Sequence, residues 1–393
     1  MRGRRPRPTR TRHIAIVGGG ITGLWLHSLL KSRGYQCLLF EKYKLGSGQT
    51  LASQGMIHGG LKYNLDGITG TASKTISSMP AVWRACLSGD SEMDLSNVGC
   101  IAWQYHLFSD GGLGNKLSAF LGSRALSVGT RMLSPEEFPP PFRGGQFKGL
   151  VYEIPDLILD TESLIKTLAT KDPNDLIEAK VKPMPHEGAG IKCLILEDGT
   201  KIEAQYFVYA AGIGNEELIA KSNLKMATQR RGLHQVLLKG DLPVLNGHAV
   251  SLQSKDKPRF TVTSYRERSN TTWYLGGELA ETGIKREPRA QIEFAKHELK
   301  QFLPSINVDS CEFTTLEIDR AEPKERRRLR PDRPTCYCEG NVLACWPIKL
   351  TLVPLLMEEV LGKIMSIPSG MASSDITKLR KAQVGNYPWN GSL

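Results

Sequence analysis

Gly18-Gly19-Gly20-Ile21-Thr22-Gly23 fits the pattern GxGxxG, and it carries the first chemical signal in this chain. Gly18 permits a tight turn, Gly20 lets a pyrophosphate reach the backbone, and Gly23 lets a helix pack closely on a strand. Ile21 and Thr22 then open a helix whose positive end faces the phosphates. A ribose partner is expected about 20 residues further on. Glu41 stands 18 residues past Gly23, with Lys42 beside it. An acid there favours FAD or NAD over NADP, whose extra phosphate calls for an Arg. A lone GxGxxG is a weak signal, shared with Gly-rich turns of unrelated folds.

The flanking elements strengthen it. HIAIVGGG reads as a buried strand, ITGLWLHSLLKSRG as a helix stopped by Gly34, and YQCLLFEK as a second strand. Strand, helix, strand begins a parallel sheet. The small-residue loop after Glu41 contains Thr50, Ser53, Gln54 and Gly55, which can line an extended dinucleotide. FVYAAG ends at Ala211 and Gly212, a second close approach to the same ligand. Residues 69–88 look helical, and Asp160 caps an amphipathic run, DTESLIKTLATK. Asp198-Gly199 reads as a hairpin turn, residues 233–275 as a strand-rich block and residues 289–302 as a helix. The strand NVLACW and the helix LVPLLMEEVLGKI close the chain before a polar tail. Two alternating kinds of segment imply one domain built from separated pieces with another inserted in it.

The fingerprint, Glu41, SQGMIHGGLKY, FVYAAG and NVLACWPIKLTLVPLL together resemble the FAD-dependent oxidoreductases related to D-amino-acid oxidase and glycine oxidase, over about residues 13–365. IHGGLKY is most similar to the matching segment of L-2-hydroxyglutarate dehydrogenase and of FAD-linked glycerol-3-phosphate dehydrogenase. The extra C-terminal helical domain typical of the latter is missing. The resemblance implies an α/β fold: a Rossmann-like FAD-binding domain with a second, mostly antiparallel β-sheet plus helices forming an α+β substrate domain. Residues 1–12 are then a disordered basic tail. Residues 13–80, 150–225 and 335–375 make the discontinuous FAD domain, 81–149 and 226–334 the substrate domain, and 376–393 a C-terminal tail.

A flavin accepts a hydride at N5, so the protein has to orient a C–H bond and manage one proton. His58, beside Gly59-Gly60, is the candidate base, because imidazole titrates near neutrality. The competing reading is that His58 only hydrogen-bonds the flavin or a nearby carbonyl. Tyr63 can close the same wall. Carboxylate substrates are common in the family, and Arg offers a bidentate fork for them. Arg231, before the strand LHQVLLKG, and Arg330, in the Arg-Pro segment ahead of the closing strand, resemble the family's candidates, with Arg320 a third. The turn at Lys349, Leu350 and Thr351 is less Gly-rich than in relatives. Relatives use the backbone there to stabilise the flavin pyrimidine. Thr351 is expected to cap the following helix, and Lys349 to add positive charge beside the reduced ring. Cys345 reads as a buried apolar cysteine rather than a covalent flavin link.

Charge adds little. The chain has 393 residues and 51 Lys plus Arg against 40 Asp plus Glu, a net charge of +11. Residues 1–12 carry +6 and residues 324–333 carry +4, leaving the body nearly neutral. DNA binding, which spreads basic residues over a face, is not expected. A tRNA-borne amine has only these two stretches in its support. The eight Cys show no CxxC and no zinc spacing, so no metal site is expected, and reduced thiols point to the cytoplasm. The basic start before IAIVGGGITGLWLHSLL mimics a signal peptide, but three glycines spoil the apolar helix. No integral membrane segment is evident, and peripheral association stays open. The expected partners are a small-molecule substrate and an electron acceptor, oxygen or a quinone. Oxidation of a 2-hydroxy acid stands first, an amine or amino acid (glycine- or sarcosine-oxidase-like) second, and a non-catalytic flavin sensor or scaffold third.

Overall fold

Ile14, Ala15, Ile16 and Val17 are all buried, and they form the centre of a strand covered on both faces. A computed structural model describes residues 9–59, 71–110, 129–186, 188, 190–251, 257–267, 269–325, 333–364 and 377–390. The strand, β1 (Thr9–Val17), lies parallel between β2 (Cys37–Glu41) and β12 (Lys201–Tyr209). Beyond β2 comes β9 (Leu176–Glu178). Beyond β12 come β11 (Ile191–Leu196) and β10 (Val181–Pro185), through an antiparallel hairpin whose turn holds Gly199 at φ 81°. The last residues of β12 also pair in parallel with β19 (Val342–Trp346), itself antiparallel to β18 (Thr335–Glu339). Helix α1 (Ile21–Ser32) packs against this sheet with every residue from Ile21 to Leu30 buried. The hairpin, the helix and the closing strand all follow their local sequence signals.

The second sheet has the order β17 (Glu312–Pro323), β13 (Thr228–Gly240), β16 (Asn270–Gly276), β15 (Phe260–Glu267), β14 (Gly247–Val250), β5 (Tyr105–Ser109), β7 (Val151–Ile154), β6 (Arg131–Met132). Its pairings are antiparallel except β14 with β5. A small third sheet joins β3 (Met56–Ile57), β8 (Leu157–Leu159) and β4 (Cys100–Ala102). Helix α2 is Thr71–Ser88 and α3 is Thr161–Lys171, with Asp160 accepting from two backbone N–H groups at its start. Helix α4 is Gly214–Lys221, α5 is Glu278–Gly283, α6 is Pro288–Phe302 and α7 is Val353–Leu361. Among the described residues no helix is long and apolar enough to cross a membrane.

Four sequence expectations need correction. Residues 9–12, assigned to a tail, pair in register with Lys201–Ala204, because β12 is long enough to template the whole of β1, and Arg12 is buried. Residues of the 81–98 stretch, assigned to the substrate domain, pack with α1 and the closing helix: Trp83, Cys86, Met93 and Leu95 belong to the same apolar core as Leu24 and Leu356. Strand β7, assigned to the FAD domain, pairs with β5 in the second sheet. The segment 376–393, assigned to a tail, is bonded into the body wherever it is described. Leu45 and Val384 bridge in parallel, and the Tyr387 hydroxyl donates to Asp160 at 2.7 Å. Trp389 stacks on Tyr387 at 4.6 Å and meets Tyr274 and Tyr265. None of these pairings has a local signal, because each depends on a partner far along the chain.

Two stability measurements test this packing. Trp389→Ala removes a buried indole from an aromatic cluster, an expected cost of about 3–5 kcal/mol read as a lower urea midpoint; an unchanged midpoint means the strap is not bound. His27 in α1 is buried, and burial pushes its pKa down to about 4 from the ordinary 6.5. The unfolded chain therefore takes up a proton below pH 6.5 that the folded chain takes up only near pH 4. Stability is full above pH 6.5 and falls towards pH 4, by about 3 kcal/mol at most. His27→Leu is expected to flatten that part of the stability profile.

Candidate functional site

The C-terminal ends of β1, β12 and β19 point the same way, and one cavity of about 550 Å3 runs across them. At its first end β1 turns into α1 through the glycines. Gly18 sits at φ 114°, and a Cβ on it would overlap the Ala210 carbonyl. A Cβ on Gly23 would overlap the Gly18 carbonyl oxygen. Both positions need glycine for protein packing. Gly20 differs: a Cβ there would meet only the Thr50 hydroxyl, at 3.3 Å. The space in front of it is open, as a diphosphate approaching the helix end requires. Both Glu41 oxygens are held, Oε2 by the Gly19 N–H at 2.7 Å and Oε1 by the Tyr43 N–H at 2.9 Å. Each oxygen retains a second lone pair for a ribose hydroxyl.

Of the sequence-predicted cofactor residues, Gly18, Gly20, Ile21, Thr22, Glu41, Lys42, Thr50, Ser53, Gln54, Gly55, Ala211, Gly212, Lys349 and Leu350 line this cavity. Several carry a second task. The Thr50 hydroxyl accepts the Ile21 N–H at 3.1 Å, satisfying one free donor of the helix end. Gln54 donates to the Tyr274 and Thr261 carbonyls, so it ties the loop to the second sheet. Asn215, which carries no sequence signal, accepts the Ala211 N–H and donates to the Cys345 carbonyl. It thereby clamps the ends of β12 and β19. The Trp346 indole N–H is buried and finds no acceptor among the described residues. These features fit a dinucleotide.

At the far end the turn Pro347 to Leu350 closes the wall. Ile348 stands at φ 56°, a left-handed conformation that costs a β-branched residue about 1–3 kcal/mol and clusters at functional sites. The turn carries no glycine, yet it adopts a shape that glycine takes freely. Thr351 does not cap α7, whose N-cap is Leu352 with no side-chain bond. Its hydroxyl instead accepts the His58 N–H at 3.1 Å, because the short 3-10 turn Leu350–Leu352 swings it towards β3. His58 lines the cavity. Tyr63 and Arg330 lie outside the described residues. Cys345 is buried, its Sγ 3.8 Å from that of Cys336.

The arginine expectations divide. Arg231 and Arg320 face each other across β13 and β17. The Arg231 guanidinium forks the buried Glu322 carboxylate at 2.6 and 2.8 Å, so it is committed to the protein rather than to a ligand. Arg320 lines the cavity and bonds Glu281 at 2.8 Å. Lys257 pairs with the same carboxylate. Burial would raise the Glu281 pKa, but Lys257 and Arg320 outweigh it and hold that pKa at about 2. The cluster separates like charges that would otherwise repel across the strands.

A family model described as "FAD dependent oxidoreductase" matches residues 13–323. The chain is 40% identical over 356 residues to a probable FAD-dependent oxidoreductase of Pseudomonas aeruginosa, covering 89% of this chain and 90% of that one. The crystal structure of a FAD dependent oxidoreductase from the same organism superposes with a TM-score of 0.83 at 34% identity, over 98% and 99% of the two chains. Glycine oxidase from Geobacillus kaustophilus shares the fold at a TM-score of 0.64 and 15% identity, over 96% and 100%.

The glycines give a test that separates binding from folding. Gly20→Val is expected to leave the thermal midpoint of the FAD-free protein unchanged while weakening FAD binding at least about tenfold, since only the ligand needs that space. Gly23→Ala is expected to prevent folding. FAD titration and thermal melts read both.

Proposed function

The chain belongs to the FAD-dependent oxidoreductase family, and on that premise we propose that it oxidises a small carboxylate substrate, a 2-hydroxy acid before an amine. When bound, the flavin supplies a hydride acceptor. The chain itself has to bind the acid, hold its C–H bond against the ring and manage the proton.

A cluster of charges on the cavity wall supports this reading. Lys257 and Arg320 both line it, and the lining carboxylates are Glu281 and the Glu41 of the strand tip. Both cations already hold Glu281. An acid with an uncharged hydroxyl meets cationic donors it can share. A substrate bringing an ammonium group would need an acceptor that is already engaged. Arg forks match carboxylate geometry, which supports Arg320 in place of Arg231 as the described arginine for that role. His58, on the wall beside the Pro347–Leu350 turn, is assigned to proton acceptance or to contact with the ring.

The decisive experiment is anaerobic bleaching of the purified yellow protein with glycolate, lactate, 2-hydroxyglutarate, glycine, sarcosine and proline. Bleaching by a hydroxy acid is the expected result, and bleaching by the amines alone replaces it with the amine reading. Reoxidation by air or by a quinone then identifies the electron acceptor. A colourless protein that FAD cannot reconstitute overturns the whole assignment. His58→Ala is expected to retain FAD and slow bleaching about a hundredfold; an unaffected rate makes His58 structural.

A further inference from the structure

The wall that the second sheet turns to the cavity changes character along its strands. Alternate residues of a strand share a face, and those lining the cavity are Leu233 and Gln235 on β13 with Ile318 and Arg320 on β17. Arg320 is opposite Arg231 in the ladder and Ile318 is opposite Leu233, while Gln235 lies two residues beyond Leu233. From Arg320 the order is cation, apolar pair, neutral amide.

Charge is confined to the first of these levels. Lys257 and Arg320 both hold Glu281, so among the described lining residues of this wall the cations outnumber the carboxylates by one. Arg231, on the same face, is matched by Glu322. The other titratable group lining this wall, His248, is bonded to Tyr105, and Tyr105 to the buried Asp156. One substrate carboxylate meets the surplus cation. A second would be desolvated against Leu233, Ile318 and an amide, without a partner of opposite charge.

Gln235 is 4% exposed, and its amide is held from behind. The buried Tyr274 hydroxyl lies 2.5 Å from Gln235 Oε1 and 2.7 Å from the Ala52 carbonyl oxygen. Burial raises the Tyr274 pKa well above its ordinary 10, so the phenol stays neutral. With Oε1 on the phenol, the amide turns its N–H2, which has no partner among the described residues, to the cavity. Turned over, the amide would donate to the phenol oxygen, and the hydroxyl hydrogen would go wholly to Ala52. Both orientations present a neutral hydrogen-bonding atom to a ligand. Four residues separate the level of Arg320 from Gln235, about 13 Å at roughly 3.3 Å per residue. Side chains stand roughly perpendicular to a sheet, and Arg320 is tethered to Glu281 as Gln235 is to Tyr274. A hydrogen bond of about 3 Å at each end leaves roughly 7 Å, which an extended five-carbon acid spans.

We propose that Gln235 is a specificity-determining residue that reads an uncharged polar group at the end of the substrate remote from its carboxylate, so that the pocket takes monocarboxylic acids and rejects dicarboxylic ones. This rests on the reading of Arg320 and Lys257 as the carboxylate site. 2-Hydroxyglutarate has the length but carries a second charge. The segment IHGGLKY resembles an enzyme of that dicarboxylate, and the charge pattern of this wall calls for a different substrate.

The test titrates FAD-loaded protein with three inert acids of equal chain length, pentanoate, glutaramate and glutarate. Their remote ends are a methyl, a carboxamide and a carboxylate. Flavin absorbance or heat of binding gives each dissociation constant. Glutaramate is expected to bind tightest, at least about tenfold tighter than glutarate and about threefold tighter than pentanoate. Gln235→Leu is expected to put pentanoate ahead of glutaramate, and Gln235→Lys to put glutarate first. If one variant fails to hold FAD, the wild-type ranking and the other variant decide. Glutarate matching glutaramate on the wild type, or a wild-type ranking that survives substitution of Gln235, overturns the proposal. Arg320→Met is expected to weaken all three acids at least about tenfold. Unchanged affinities there, or no binding of any acid to the wild type, refute the carboxylate site and this proposal with it. None of the three acids carries an oxidisable hydroxyl or amine, so bleaching by amines alone removes the hydroxy-acid reading and leaves this ranking to be judged by itself.

Discussion

A helix that offers its bare N-terminus to a diphosphate has to begin directly where a buried strand ends, with no room for a side chain at the junction. In this chain the constraint falls on Gly18 and Gly23, where added carbons would collide with the Ala210 and Gly18 carbonyls. Much else follows from that closeness. α1 lies flat on the sheet and is buried from Ile21 to Leu30. β12 runs parallel beside β1 and β19 parallel beside β12, so their ends open on the same crevice. In parallel sheets this crevice is where ligands bind, because helix ends and loops converge there while the strands themselves are covered.

The second sheet is fastened over the crevice by polar contacts rather than by one continuous apolar core. Gln54 reaches the Thr261 and Tyr274 carbonyls, Tyr274 returns a bond to the Ala52 carbonyl, and Gln49 donates to the Asp319 carbonyl. All of these lie in or near the loop that lines the cavity. Positioning the nucleotide and positioning the substrate wall are therefore parts of one task. A change in that loop moves both.

Legibility from sequence followed the range of the interaction. The Asp198-Gly199 hairpin and the Asp160 cap are set by neighbours within a few residues, and the glycine turn and Glu41 strand tip by a motif of fixed spacing; the structure has all of them. Partners distant in sequence could not be read. Arg231 carries the pattern of a ligand-binding arginine, but Glu322, 91 residues away, claims it. Thr351 has the right residue type for a cap, yet it serves a backbone group 293 residues earlier. Tyr105, Asp156 and His248 sit in unremarkable strand and turn sequences, and only the parallel pairing of β14 with β5 brings two of them together. The C-terminal aromatics looked like a polar tail because their partners, Tyr265 and Tyr274, lie over a hundred residues upstream.

The strap from Lys381 to Trp389 also bears on the order of assembly. It bonds the loop at Leu45 through the backbone of Gln383 and Gly385, and the adjoining Gly46 N–H is held by Gly19, inside the phosphate turn. Vectorial synthesis delivers the glycine turn first, and β19 and the strap last. On the ribosome the nascent chain thus carries a phosphate-facing helix end with one flank of its cradle still unmade. The complete cradle exists only once the strap has been made. Until Trp389 has emerged, the rings of Tyr265 on β15 and Tyr274 on β16 lack its aromatic cover.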